Sequence, residues 1–415
     1  MKRQIPNGFD KINFLKTIDN IKLLFSERWL NKNPTKNIFK QLWHRRDFLA
    51  SSELYIIGLG IGKLKNNSNE EWLKDLYKQV NKNKEAGIYG IFYELFIYIL
   101  YQNKLELAIP NQANYDLKII KEKQTIYTSI KKLTTSEDEK KLKQNFIDLE
   151  KFYVKELKKT KLNGFSLFLH FNNYDDFSLN NAKKIIKDTL AKKDNLTNSS
   201  YFTILKEIKC NENNFIIHNN NKISYQFNLI IPYNKNEQKR FINLFKRAST
   251  NLNKINECNL INIGLSSTVD MQTAKKWLIN EFDNNIHTRI SGVLLTQYLP
   301  AHNMKDDSTH LNLQFNFIYN KNAKNKIDFT DEVFKMELPI GTISQKSSNY
   351  HIMTDNDSFE ITEHYMFQSG YKLCKHLFGK MEYKFSYVQN LTEEALILNQ
   401  IIQPIRPVGD KCILL

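Results

Sequence analysis

The chain has few cysteines and no CxxC pair: Cys210, Cys258, Cys374 and Cys412 lie far apart in 415 residues. Scattered thiols argue against a disulfide framework or a cysteine zinc site, and make a reducing cytoplasm the expected compartment. None of the nine histidines stands in an HxH, HxxxH or HExxH spacing, so no histidine metal centre is expected. No GxSxG elbow surrounds Ser266 and Ser267 in "LSSTVD", which removes the usual serine-hydrolase signature. The glycines of "GLGIGK" (Gly58 to Lys63) fit neither the dinucleotide fingerprint nor the Walker A loop, and read as a helix running into a loop. The opening "MKRQIPNGFDKINFLK" lacks the apolar centre of a signal peptide. The longest apolar run, Ala86 to Tyr101, is shorter than the ~20 residues of a membrane span and carries Glu94 in its middle. No membrane partner is expected. Internal repeats, heptads and low-complexity tracts are also missing.

What is present points to a globular, basic protein. A hydrophobic content of 41% supplies enough apolar surface for one large core or two to three ordinary domains. Lys and Arg number 60 against 44 Asp and Glu, a net charge of +16 that favours polyanionic partners such as nucleic acid. Abundant Lys, Asn and Ile throughout suggest an A+T-rich genome, which supplies part of this basicity. The first fifty residues are the most basic, with 11 Lys/Arg against 4 Asp/Glu.

Periodicity divides the chain into three parts. Residues 1–82 read as a basic helical region, with apolar positions at 3–4 spacing in "INFLKTIDNIKLLF" and early acids in "NEEWLKDLYKQV". Residues 83–330 read as a mixed α/β (α+β) core. There a helix is followed by three strands, "LELAI", "YDLKII" and "TIYTSIK", and then by an amphipathic helix over about 137–159 and the strand "GFSLFLHF". Helices and strands alternate further on, ending in the strand pair "RISGVLLTQYL" and "HLNLQFNFIYN". Residues 331–415 read as a small α+β extension, with short strands and helices near 362–378 and 391–402.

Four side chains carry the chemistry. Glu94 sits inside an otherwise apolar helix, where a carboxylate is costly unless a cation, a metal or water compensates it. Asp116 lies in the first strand of the hairpin "YDLKIIKEKQTIYTSIKK", and Ser129 and Lys131 share a face of its second. Pairing around the "KEKQ" turn brings Asp116 towards Ser129 and Lys131.

The order helix with Glu, strand, strand with Asp, strand ending in xxK, helix, strand, over roughly 86–172, resembles the core of the PD-(D/E)XK nuclease superfamily. This is the restriction-endonuclease-like fold. The resemblance places Glu94 on the acid of the first core helix, Asp116 on the metal-binding aspartate and Lys131 on the motif lysine. Ser129 stands where the family has Asp, Glu or sometimes Gln. The implied function is a metal-dependent phosphodiesterase, a DNA endonuclease of a bacterial defence or restriction-type system. Asp116 and Glu94 would bind Mg²⁺ or Mn²⁺ with the carbonyl of Ile130, and Lys131 would act on the attacking water or the developing charge. Ser129 leaves two readings open: a weak oxygen ligand in a working site, or a decayed site in a nucleic-acid-binding or regulatory protein. An RNA- or tRNA-directed nuclease and a subunit of a multi-protein complex are further alternatives, and a homodimer is common in the family. Lys40, Arg45, Arg46, Lys118 and Lys132 are the expected phosphate contacts, with DNA preferred over RNA.

Overall fold

The computed structural model describes most of residues 8–327. Its gaps are 33–36, 46–47, 68, 83, 103–106, 113–114, 122–123, 135, 208–224, 232–235, 253–255, 267–268, 270 and 304–307. Beyond 327 it describes only strand segments. The chain is a mixed α/β protein, as its alternating periodicity predicts.

Among the described residues six helices come first: α1 (Lys11–Phe25), α2 (Glu27–Leu30), α3 (Ile38–His44), α4 (Phe48–Asn66), α5 (Glu70–Lys82) and α6 (Glu85–Gln102). Local signals start them where expected. The Asp10 side chain accepts from the N–H of Asn13 at the head of α1, and Asn37 caps α3 through the N–H groups of Phe39 and Lys40. The apolar run around Glu94 is α6, and it is apolar nearly all round because it is wrapped by helices on one side and sheet on the other. No described helix is long and apolar enough to cross a membrane.

The glycine cluster Gly58, Gly60 and Gly62 lies inside α4, a correction to the helix-to-loop reading. Its cause is close packing. A Cβ at Gly58 would stand 2.0 Å from the Thr17 carbonyl oxygen of α1, and one at Gly62 2.4 Å from Asn20 Nδ2. Asn20 Nδ2 also donates to the Gly58 carbonyl at 3.1 Å. The glycines therefore let two helices approach at backbone distance, and that packing outweighs their poor helix propensity.

After α6 come β1 (Leu107–Gln112), β2 (Tyr115–Lys121) and β3 (Gln124–Lys132), an antiparallel meander. The strand on the far side of β3 is not the next one in sequence. It is β7 (Cys258–Leu265), which pairs parallel to β3 from Ile126↔Cys258 to Lys132↔Gly264. Then β8 (Gly292–Asn303) adds parallel to β7, β9 (Ser308–Tyr319) antiparallel to β8, and β10 (Thr342–Ser344) closes the order β1-β2-β3-β7-β8-β9-β10. β7 is buried along its whole length, which is why "NLINIGL" reads as a continuous apolar run rather than an alternation. One face packs under the six N-terminal helices in a shared core that includes Phe14, Phe39, Tyr98, Ile130 and Leu294. The other face packs under α9 (Asn236–Leu252) and α10 (Met271–Asp283). Side chains alternate between these layers: Leu294 faces the first, Val293 and Leu295 the second.

A separate unit is spliced into the β3-to-β7 connection. It holds α7 (Glu137–Thr160), β4 (Phe165–Phe171), α8 (Leu179–Lys192), β5 (Tyr201–Glu207) and β6 (Tyr225–Ile231), around its own core of Phe146, Leu149, Tyr153, Leu169, Ile186 and Phe227. Here β4 pairs antiparallel to β5 and parallel to β6. The expectation that α7 and β4 continue the first sheet is thus corrected: α9 and β7 take that place. The amphipathic stripe of α7 specifies burial against a sheet but not which sheet, and strand pairing at long range has no period to reveal it.

Residues 365–369 (β13) and 372–374 (β14) are strands, not part of the helix expected near 362–378. They join the second sheet through β6, with a short β15 (Arg406–Pro407) at its edge. A two-stranded pair, β11 (His351–Met353) and β12 (Ser358–Glu360), stands by itself. The helix expected near 391–402 lies outside the described residues.

Candidate active site

The antiparallel β2–β3 ladder ends at Leu117↔Thr128, while β3 continues beside β7 for four more residues. Asp116 stands where the two strands part. Its Oδ2 accepts the backbone N–H of Ile130 at 2.6 Å, the bond that a strand partner's carbonyl would otherwise take. The same oxygen accepts from Lys131 Nζ at 2.9 Å and from the Ser129 hydroxyl at 3.3 Å. Lys131 Nζ also donates to the Ile130 carbonyl at 2.9 Å. The Asp116 and Lys131 side chains each keep 24% of their surface, so the pair lies at the protein–solvent boundary.

Glu94 approaches this pair from α6. Burial, the Asp116 carboxylate and, more weakly, Asp75 of α5 push its pKa up to about 8, and only Lys131 acts in the opposite direction. Those interactions put the helix acid, the strand acid and the lysine in one electrostatic neighbourhood. Glu94 makes no hydrogen bond or ion pair among the described residues. A partly buried carboxylate of this kind has lost water without gaining a partner.

Ser129 is fully buried, and its hydroxyl is a donor to Asp116. That contact gives a physical account of the missing second acid. A carboxylate at 129 would face Asp116 without any proton to share, whereas a hydroxyl satisfies it.

The roll of α6, and with it the aim of Glu94, is fixed by two buried tyrosines. Tyr93 OH lies 2.6 Å from Thr296 Oγ1 on β8, and Tyr101 OH donates to Asn262 Oδ1 on β7 at 2.7 Å. Gly264 leaves the space this needs: a Cβ there would stand 2.6 Å from the Tyr93 ring and 2.8 Å from Lys132 Cδ. Lys132 in turn lies over the Tyr93 ring, 5.2 Å from its centroid.

The structure therefore brings together Glu94, Asp116, Ser129, Ile130 and Lys131. The expected phosphate-contacting cations are spread more widely. Lys132 borders the site, Lys118 lies over Tyr127 at 5.7 Å, and Lys40 lies over Trp29 at 4.2 Å. Arg45 ends α3, and Arg46 lies outside the described residues. Sequence reasoning missed Asp75, whose helix shows no pattern that singles it out. It also missed Tyr93 and Tyr101, although polar-tipped rings eight residues apart in an apolar helix, and so close to one face, were a usable signal.

The donors at the site are all oxygens, which suits a hard cation such as Mg²⁺ or Mn²⁺, and the partnerless Glu94 is the group such a cation would satisfy. The oxygens gathered here are two carboxylates, the Ile130 carbonyl and the Ser129 hydroxyl. Mg²⁺ commonly uses one or two carboxylates with water and phosphate oxygens, and this set fits that habit. No protein-family model, curated protein or solved structure matches the chain.

Proposed function

We propose that the chain is a metal-dependent phosphodiesterase acting on nucleic acid, a DNA endonuclease of the restriction or defence type. The observation that carries this reading is Glu94: a partnerless carboxylate that feels the charges of an aspartate–lysine pair where two strands separate. Two acids, an ammonium and a backbone carbonyl in one neighbourhood form the kind of constellation that phosphodiester hydrolysis uses. The topology of the first sheet supports the reading. An α6–β1–β2–β3 unit is followed, after an insertion, by a helix and a parallel strand.

In this reading Asp116 and Glu94, with the Ile130 carbonyl, would hold Mg²⁺ or Mn²⁺. The bound cation supplies Lewis-acid polarisation of the phosphate and a more acidic water. Lys131 is the group placed to meet the substrate. Two of its three N–H donors are taken by Asp116 and the Ile130 carbonyl, and the third is available for a non-bridging phosphate oxygen. Held there, the ammonium stabilises negative charge as it grows in the transition state. Ser129 keeps Asp116 oriented through its hydroxyl and adds no charge.

One observation favours a second reading, a nucleic-acid-binding protein without catalysis. Asp116 is already satisfied by Lys131, Ser129 and the Ile130 N–H, so the site holds together without a cation. Incubation of the purified protein with supercoiled plasmid in Mg²⁺ or Mn²⁺ separates the two. The nuclease reading expects nicking that Asp116→Asn and Lys131→Ala abolish. Gel-shift binding without nicking in either ion would overturn it in favour of the binder, and an RNA and tRNA panel assigns the substrate class.

A further inference from the structure

The unit spliced between β3 and α9 has a face that its own core does not use. Helices α7 and α8 lie side by side with Phe146, Leu149, Tyr153, Ile185 and Ile186 turned to the sheet. Their outer surface carries two rows of lysine. On α7, Lys151, Lys155 and Lys158 follow one another at helical spacing and are exposed. On α8, Lys184 and Lys187 are exposed, and Lys183 reaches across to the Phe152 ring of α7 at 5.8 Å from its centroid. That contact, with the packing of the two helices, puts both rows on the outer side of one helix pair.

None of Lys151, Lys155, Lys158, Lys184 and Lys187 has an ion pair or hydrogen bond to an acid among the described residues. The α7 acid within this stretch, Glu156, is buried and taken by Lys159. Asp188 is the acid of α8 and is half-buried. Elsewhere in the protein lysines do find carboxylates, as Lys140 finds Glu137 and Lys246 finds Glu281. Here lysines outnumber acids over two turns of two adjacent helices, about 10 Å in each direction, with Asp148, which accepts from Gln144, and Asp188 at the borders.

The unit is also close to the candidate site along the chain. Its first helix starts at Glu137, six residues beyond Lys131, so its root lies within ~20 Å of that lysine. The root is tied down, because Arg240 of α9 donates to the Thr134 carbonyl at 2.7 Å. Lys151 lies ~20 Å further along α7, which sets a reach of at most ~40 Å, or roughly a dozen base pairs.

We infer that the outer face of α7 and α8 is a docking surface for the phosphate backbone of duplex DNA, holding the arm of the substrate that flanks the candidate site. The inference rests on the nuclease reading for the identity of the duplex, and its test is a binding measurement that requires no cleavage. A 30-bp duplex is titrated with the full-length protein in EDTA at several salt concentrations and followed by fluorescence anisotropy. The variant carries Lys151→Glu, Lys155→Glu, Lys184→Glu and Lys187→Glu. A charge-matched control carries Lys276→Glu, Lys321→Glu, Lys324→Glu and Lys326→Glu. Both are checked for unchanged thermal unfolding, and the four Lys→Gln substitutions replace the first set if charge reversal disturbs folding.

The docking surface predicts affinity lower by on the order of tenfold or more for the first variant only, and a log–log salt slope shallower by about 3.6 for four lost phosphate contacts. Equal affinities and slopes for the variant and the control would overturn the inference, as would an unmodified protein that does not bind the duplex. Plasmid nicking by the unmodified protein, read in the same preparation, decides the nuclease reading separately.

Discussion

Glu94→Gln is expected to make the metal-free protein more stable at and above neutral pH, although it removes a group proposed to be essential. The side chain's pKa rises from its ordinary 4.5 to about 8 in the folded state. A raised carboxyl pKa means that the folded chain keeps a proton which the unfolded chain has released. Unfolding then releases a proton, and stability falls as pH rises from about 4.5 to about 8, levelling off beyond. The full difference corresponds to at most ~5 kcal/mol. Lys131 and residual water at the site reduce it, so a gap of ~2–3 kcal/mol at pH 8 is the working expectation. Glutamine has the same shape and no charge, so it removes that cost.

The assay is urea unfolding in EDTA at pH 5, 6, 7 and 8 for both proteins. The curves should nearly coincide at pH 5 and diverge as pH rises, with the variant on top. Adding Mn²⁺ at pH 8 should then raise the stability of the unmodified protein by about 2.7 kcal/mol at a hundredfold excess over Kd, and that of Glu94→Gln by much less. Parallel pH dependences for the two proteins would refute the reasoning, because they would show that the acid stays solvated and unopposed by Asp116.

Ser129→Asp should supply the carboxylate that the site lacks, tightening Mn²⁺ binding in calorimetry while lowering stability in EDTA through repulsion with Asp116. Tyr101→Phe strands the Asn262 amide, whose Nδ2 is already buried without a partner, and should cost about 1–3 kcal/mol in chemical denaturation. Gly58→Ala places a methyl against the Thr17 carbonyl and should lower the melting temperature through a loss of about 3 kcal/mol or more, with a helical circular-dichroism spectrum retained.

Much of the secondary structure was legible because it is local. The stripe of α7, the unbroken apolar run of β7 and the hairpin carrying Asp116 each follow from side-chain period alone. The neighbourhood of Glu94, Asp116 and Lys131 was also legible. A charge inside the apolar α6 is costly enough to demand an explanation, and the following hairpin supplied the opposing groups. What could not be read were relations between distant segments. Nothing in "GFSLFLHF" states that it pairs with Tyr225–Ile231 rather than with β3. The glycines of α4 resembled a loop because their role lies in another helix, at Thr17 and Asn20. Asp75 reaches Glu94 only through helix packing, which no spacing in α5 encodes.

The splice between β3 and β7 has a temporal consequence. Glu94, Asp116 and Lys131 all leave the ribosome before the strand that flanks β3 on its far side, because Ile126 must wait for Cys258. A nascent chain halted inside the insertion holds all three of these side chains but lacks the parallel neighbour that braces Ser129 through Lys132. The brace along β3 is therefore a contact of high sequence separation, and it closes late.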